Sequence, residues 1–146
     1  MSHLFGPVPS RRLGLSLGVD LVPPKTCTFD CLYCEVGRTT HLTRRRQPHR
    51  VQEIIRELED YLANPPSALD YVTMAGSGEP TLNLGLGEII AAVKRLTDTP
   101  VAVLTNGALL NDPVVRQETA ISPGRRGGVR AGRIARPQRS RVRSAR

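Results

Sequence analysis

Three short apolar runs, each ending in turn residues and each followed by a helical stripe, constrain this chain more than any other feature. SLGVDLV (16–22) puts Leu17, Val19 and Leu21 on one face of an extended segment and stops at Pro23-Pro24. LDYVTMA (69–75) is apolar and β-branched and ends at Gly76-Ser77-Gly78, while VAVLT (101–105) opens after Pro100 and closes at Asn106-Gly107. Helical patterns lie between and after these runs. Over residues 50–62, Val51, Ile54, Ile55, Leu58 and Leu62 form one stripe, Glu53, Arg56, Glu57 and Glu59 face away, and Asn64-Pro65-Pro66 ends the run. Ile89, Ile90, Val93 and Leu96 repeat at helical spacing, and Asp112-Pro113 is an N-cap and first-turn pair for a third helix. Three βα units in series predict an α/β fold in which helices cover a parallel sheet and ligands bind on the loops at the carboxyl ends of the strands. Residues 27–34, 76–80 and 105–107 then share one rim, although they are far apart in sequence.

The first of these loops, CTFDCLYC (27–34), holds all three cysteines of the chain: Cys27, Cys31 and Cys34. Three thiols cannot all pair within one chain, and clustered cysteines in a reducing compartment point to metal or redox chemistry. No apolar run approaches the roughly 18 residues a membrane span requires, and no signal peptide is visible, so a cytoplasmic protein without a membrane partner is expected. Positions i, i+4 and i+7 could be small buried hydrophobes on one helix face, but Pro23, Pro24 and Asp30 disfavour a long helix here. A structural zinc could take the three thiolates with His41 or His49. A four-iron cluster could take the three thiolates alone, leaving one iron open to a substrate or cofactor.

Charge separates the chain into two parts. Nine of the 21 Lys and Arg residues lie after residue 122, where no acid occurs, leaving 12 bases against 13 acids in the body. The basic balance therefore describes the tail and says nothing of a nucleic-acid groove on the folded part.

A C-x3-C-x2-C motif with an aromatic residue, Tyr33, before its last cysteine, set after the first strand of a βα series, resembles the radical S-adenosylmethionine (radical SAM) superfamily. The resemblance implies that Cys27, Cys31 and Cys34 hold a 4Fe-4S cluster whose open iron chelates S-adenosylmethionine. It further implies reductive cleavage to methionine and a 5′-deoxyadenosyl radical that abstracts hydrogen from substrate, with a flavodoxin or ferredoxin as electron donor. GSGEP (76–80) resembles the family's Gly-Gly-Glu loop, with Gly76, Gly78 and Glu79 at the methionine end of the cofactor, Glu79 accepting from its ammonium, and Ser77 where a glycine may stand. Asn106 in LTNG is similar to the polar end of the family's third strand, and Tyr33 is implied beside the adenine, chiefly through local backbone contacts. For Asn106 the alternative is ordinary turn chemistry, and for Tyr33 a ring that only packs the loop. No catalytic residue is implied.

From about residue 5 to about residue 118, beginning FGPVPSRRLGLSLGVDLVPPKTC, the chain resembles a narrower branch of Fe-S oxidoreductases related to the tRNA wyosine-forming enzymes. By that analogy tRNA is a conceivable substrate, and Arg11 and Arg12 either hold an anionic substrate or form a solvated pair. Radical SAM cores usually have six βα units and this chain supplies three. The expectation is therefore a partial (β/α) barrel over residues 1–120, an amino-terminal fragment that carries cofactor motifs but turns over poorly. A disordered Arg-rich tail is expected over residues 121–146. That tail is rich in Arg, Gly, Pro, Ala and Ser and lacks Lys, which is what a GC-rich gene yields when translated in a shifted frame; a genuine basic arm is the alternative. Two other readings stay open at this point: a zinc-containing module whose basic tail binds RNA, and a truncation product that keeps cluster ligands without turnover.

Overall fold

The structure is a computed structural model that describes residues 2–120, Arg130–Ala131 and Val142–Ser144. An antiparallel pair, β1 (Leu4–Ser10) and β2 (Gly14–Asp20), opens the chain. The cysteine loop follows, with three short strands: β3 (Thr26–Cys27), β4 (Phe29–Cys31) and β5 (His41–Leu42). Then come α1 (Val51–Ala63), β6 (Tyr71–Ala75), a 3₁₀ turn (Pro80–Leu82), α2 (Leu86–Leu96), β7 (Val101–Val103) and α3 (Pro113–Thr119). Two short strands, β8 (Arg130–Ala131) and β9 (Val142–Ser144), complete the described elements. The main sheet has the order β1-β2-β6-β7-β8, parallel throughout except for β1. A mixed α/β fold built on a parallel sheet is thus observed, with β2–α1, β6–α2 and β7–α3 as successive βα units.

The pleat gives the sheet two different faces. Leu17, Val19, Val72, Met74, Val101 and Val103 point to one side and pack against Ile54 and Leu58 of α1 and Ile89, Ile90 and Val93 of α2, all essentially buried. Each such side chain contributes about 1.5–3 kcal/mol on burial, so this layer holds the strands in register. The opposite face carries Ser16, Gly18, Asp20, Thr73, Ala75 and Ala102, which are small or polar, with Tyr71 beside Ser16 at the start of β6. Ser16 and Thr73 hydroxyls hydrogen-bond across it. At Gly18 a Cβ would come within 2.1 Å of the Phe5 ring, so glycine is what lets that ring lie over this face.

Element boundaries differ from the sequence expectations for physical reasons. The first strand ends at Asp20 rather than 22, because Leu21 and Val22 leave the ladder yet stay buried under the loop. The third strand ends at Val103, since Leu104 is exposed and Thr105 turns toward the second loop. β1 was not expected: Gly6, Pro7 and Pro9 argue against a strand, but an edge position with an irregular register between Phe5 and Val8 tolerates them. The N-cap at Asp112 is observed, its Oδ1 accepting from Val114 N at 2.8 Å.

Among the described residues no helix is long and apolar enough to cross a membrane. Beyond residue 120 the described parts are β8, paired with β7, and β9, paired with β4. The expectations of a disordered tail and a shifted frame otherwise lie outside the described residues.

Candidate functional site

β2, β6 and β7 run parallel and end on one rim, where their loops meet through hydrogen bonds between residues distant in sequence. Lys25 N donates to Ser77 O at 2.7 Å and Glu79 N donates to Thr26 O at 3.0 Å. Gly78 permits that approach: a Cβ there would lie 2.2 Å from Thr26 O and 2.6 Å from Val22 Cγ2. From the third loop, Asn106 Nδ2 donates to Thr28 Oγ1 at 2.8 Å and lies 3.6 Å from Cys27 Sγ.

Glu79 is the centre of this rim and only 3% exposed. Its Oε1 accepts from Thr81 N at 3.2 Å, Thr81 Oγ1 at 2.6 Å and Thr105 Oγ1 at 2.6 Å, while Oε2 accepts from Asn106 N alone at 2.9 Å. Oε1 is fully engaged, and Oε2 keeps acceptor capacity. Beside it, Gly76 has φ +114 and abuts the Asp20 carboxylate, which a Cβ would approach to 2.4 Å. Asp20 Oδ2 accepts from Ser77 Oγ at 2.8 Å, so the serine that departs from a Gly-Gly-Glu pattern has a partner of its own. Asp20 Oδ1 is buried and unpartnered.

All three cysteines are free; Cys27 and Cys31 are partly exposed and Cys34 is exposed. Burial pushes the Cys27 thiol above its ordinary value, and the Glu79 carboxylate adds to this. Burial likewise raises Cys31, against a hydrogen bond with Tyr33 that lowers it. The loop is closed by Thr39, whose N–H donates to Asp30 Oδ1 at 2.9 Å and whose hydroxyl donates to Phe29 O at 2.6 Å. Among the described residues no three His, Cys, Asp or Glu side chains form a metal-holding group, so neither the three thiols nor a thiol–imidazole set is gathered around a point. The donor chemistry still fits a cluster: three unpaired thiols on one loop, next to an anchored carboxylate and an amide. Tyr33 is 56% exposed.

Every site residue expected from sequence lies on this rim or on the cysteine loop above it. Arg11 and Arg12 do not. They are exposed in the β1–β2 turn, at the other end of β2, which favours the solvated pair. Sequence reasoning put Thr28 and Thr105 on the rim without giving them a role, and missed Asp20, Arg44, Arg46 and Asn83. Asn83 is fully buried; its Nδ2 donates to Leu21 O at 2.7 Å and His49 O at 3.0 Å, and its Oδ1 accepts from Gly85 N at 2.8 Å. An Asn between apolar residues four places after Glu79 was the one available signal for it.

The sequence profile of the radical SAM superfamily matches residues 21–120, the span that contains all three rim loops. The chain belongs to the radical SAM superfamily. Among the relatives of this radical SAM chain, a protein named GTPase Obg from Brachyspira hyodysenteriae is 45% identical over 82% of the chain and 18% of its own length. A UPF0026 protein from Synechocystis is 44% identical over 82% of the chain and 44% of its own length. A UPF0026 protein from Methanocaldococcus jannaschii is 39% identical over 81% of the chain and 37% of its own length. The radical SAM chain thus spans less than half the length of each of these relatives. No solved structure matches it.

Proposed function

We propose that this chain binds a 4Fe-4S cluster through Cys27, Cys31 and Cys34 and S-adenosylmethionine on the adjoining rim. Bound together, these groups supply reductive cleavage to a 5′-deoxyadenosyl radical, with one electron from a donor of the flavodoxin or ferredoxin class. The observation that carries the reading is Asn106, whose side chain reaches Cys27 and Thr28 while its backbone N–H donates to Glu79. One residue therefore ties the third loop to both the cysteine loop and the glutamate.

In this reading each rim residue has a physical role. Glu79 Oε2 accepts from the cofactor's ammonium, a charge-assisted bond for which its other oxygen is already anchored. Gly76 and Gly78 let the backbone approach the methionine end closely. Asn106 orients the remainder of the cofactor, and Tyr33, on the exposed part of the loop, lies beside the adenine. The helices seal one face of the sheet against water, leaving the small polar face for ligands.

The test is anaerobic reconstitution with iron and sulfide, followed by addition of dithionite and S-adenosylmethionine and assay for 5′-deoxyadenosine. Iron uptake with charge-transfer absorbance, lost on changing any one cysteine to Ala, is expected. Stoichiometric zinc without iron uptake would overturn the reading.

A further inference from the structure

We propose that Arg46, seconded by Arg44, is a positioning residue that sets the spacing of the β6 and β7 loops and so aims Glu79. Residues 43–47 cross the rim as an extended strap between the cysteine loop and α1. The strap is fixed at both ends: Thr43 N donates to Cys27 O at 2.9 Å, Gln47 N donates to Leu82 O at 3.0 Å, and Leu84 N donates to Gln47 O at 3.0 Å. Side chains alternate along such a segment, so Arg44 and Arg46 turn inward while Arg45 is exposed.

Arg44 Nη2 donates to Ala108 O, two residues past Asn106, at 2.9 Å. Arg46 does more. Its Nε donates to Thr81 O at 2.7 Å, its Nη2 donates to Asn83 O at 3.0 Å, and the same fork pairs with Glu118 of α3 at 2.5 Å. The Arg46 side chain is 10% exposed, so these bonds are made largely away from water, where an unmet guanidinium donor would be costly. Thr81 is the link to the site. Its carbonyl accepts from Arg46 while its N–H and hydroxyl both donate to Glu79 Oε1. One guanidinium therefore joins the strap before α1, the loop after β6 and the helix after β7, one residue removed from the glutamate. A lysine carries the charge without the fork and cannot hold three acceptors in this geometry.

The cofactor arm of the test rests on the reading of Glu79 above; the structural arm does not. The reconstituted full chain carrying Arg46→Lys is compared with wild type by amide hydrogen exchange, S-adenosylmethionine affinity and iron per chain. Thr81 and Asn106 amides, which both donate to Glu79, should exchange about tenfold faster, with a similar rise in Kd and unchanged iron. Val72 and Leu104 amides, which donate to Pro100 O and Met74 O in the sheet, serve as controls and should keep wild-type rates. Glu118→Gln removes the ion pair but keeps the carbonyl bonds. It should show the same pattern at smaller size, and it decides the matter if Arg46→Lys does not fold. Unchanged Thr81 and Asn106 exchange overturns the proposal, and so does an equal rise at Val72 and Leu104, which would mean a purely structural role. Faster exchange beside an unchanged Kd overturns it as well. Should wild type bind no S-adenosylmethionine, the cofactor reading falls, and exchange alone judges the clamp.

Discussion

Gly78 has no positive φ, yet it accepts a side chain less readily than Gly37, which does. A Cβ there meets the backbone oxygen of Thr26 at 2.2 Å, and that oxygen is already held by Glu79 N, so neither side can yield. Gly37 has φ +91, but a Cβ there meets only Lys25 Nζ at 3.9 Å. Gly78→Ala should therefore cost about 1–3 kcal/mol from overpacking. Gly37→Ala should cost only the backbone strain, about 1 kcal/mol. Urea denaturation of both variants checks the order. Glu79→Gln is informative for a different reason. It puts an NH₂ group against donors, either the Thr81 and Thr105 set or Asn106 N–H, and should cost about 1–3 kcal/mol of stability in the apo protein. If Glu79 also accepts from the cofactor, the same variant weakens S-adenosylmethionine binding and leaves iron content unchanged.

At the scale of elements, α1 and α3 are held by different means. α3 begins with a side-chain cap, so Asp112→Ala should lower stability by about 1 kcal/mol in thermal or chemical unfolding. α1 has no side-chain cap at Arg50 and is tied instead through Glu57 to the chain ahead of β1. Glu57 accepts from His3 Nδ1 at 2.7 Å, Ser2 Oγ at 2.8 Å and His3 N at 2.9 Å. Burial raises its carboxyl pKa, but these hydrogen bonds outweigh burial and hold it below the usual range. A carboxyl depressed in the fold stabilises above its unfolded pKa, near 4.3, and that contribution fades as pH falls through the folded value. Wild type should therefore lose more stability than Glu57→Gln when unfolding is followed downward from about pH 6 to about pH 3. Equal slopes would show that the anchor is electrostatically neutral.

Across the whole molecule, charge and architecture are unevenly distributed. The first 122 residues are nearly balanced, whereas nine arginines and no aromatic residue follow them. Any RNA retention should therefore be nonspecific, vanish when residues 123–146 are removed, and fall steeply between roughly 50 and 200 mM salt. Sequence-selective retention that survives high salt would contradict this. The parallel sheet presents one apolar face packed against α1 and α2 and one face of mostly small or polar residues.

The sequence by itself determined what is periodic or local. Leu17 and Val19, the α1 stripe, and the turn glycines and prolines place strands, helices and loops, because period 2 and period 3.6 are written in adjacent residues. The cysteine spacing and GSGEP were legible for the same reason: their chemistry lies within one loop. Only the tertiary structure decided which loops touch and what each polar group meets. Glu79 with Thr105 and Asn106, Asp20 with Ser77, and Arg46 with Thr81, Asn83 and Glu118 join residues 26 to 72 positions apart. No pattern along the chain encodes such partners, since a hydrogen bond depends on distance and angle in space, and those exist only once the parallel strands bring their ends to one rim.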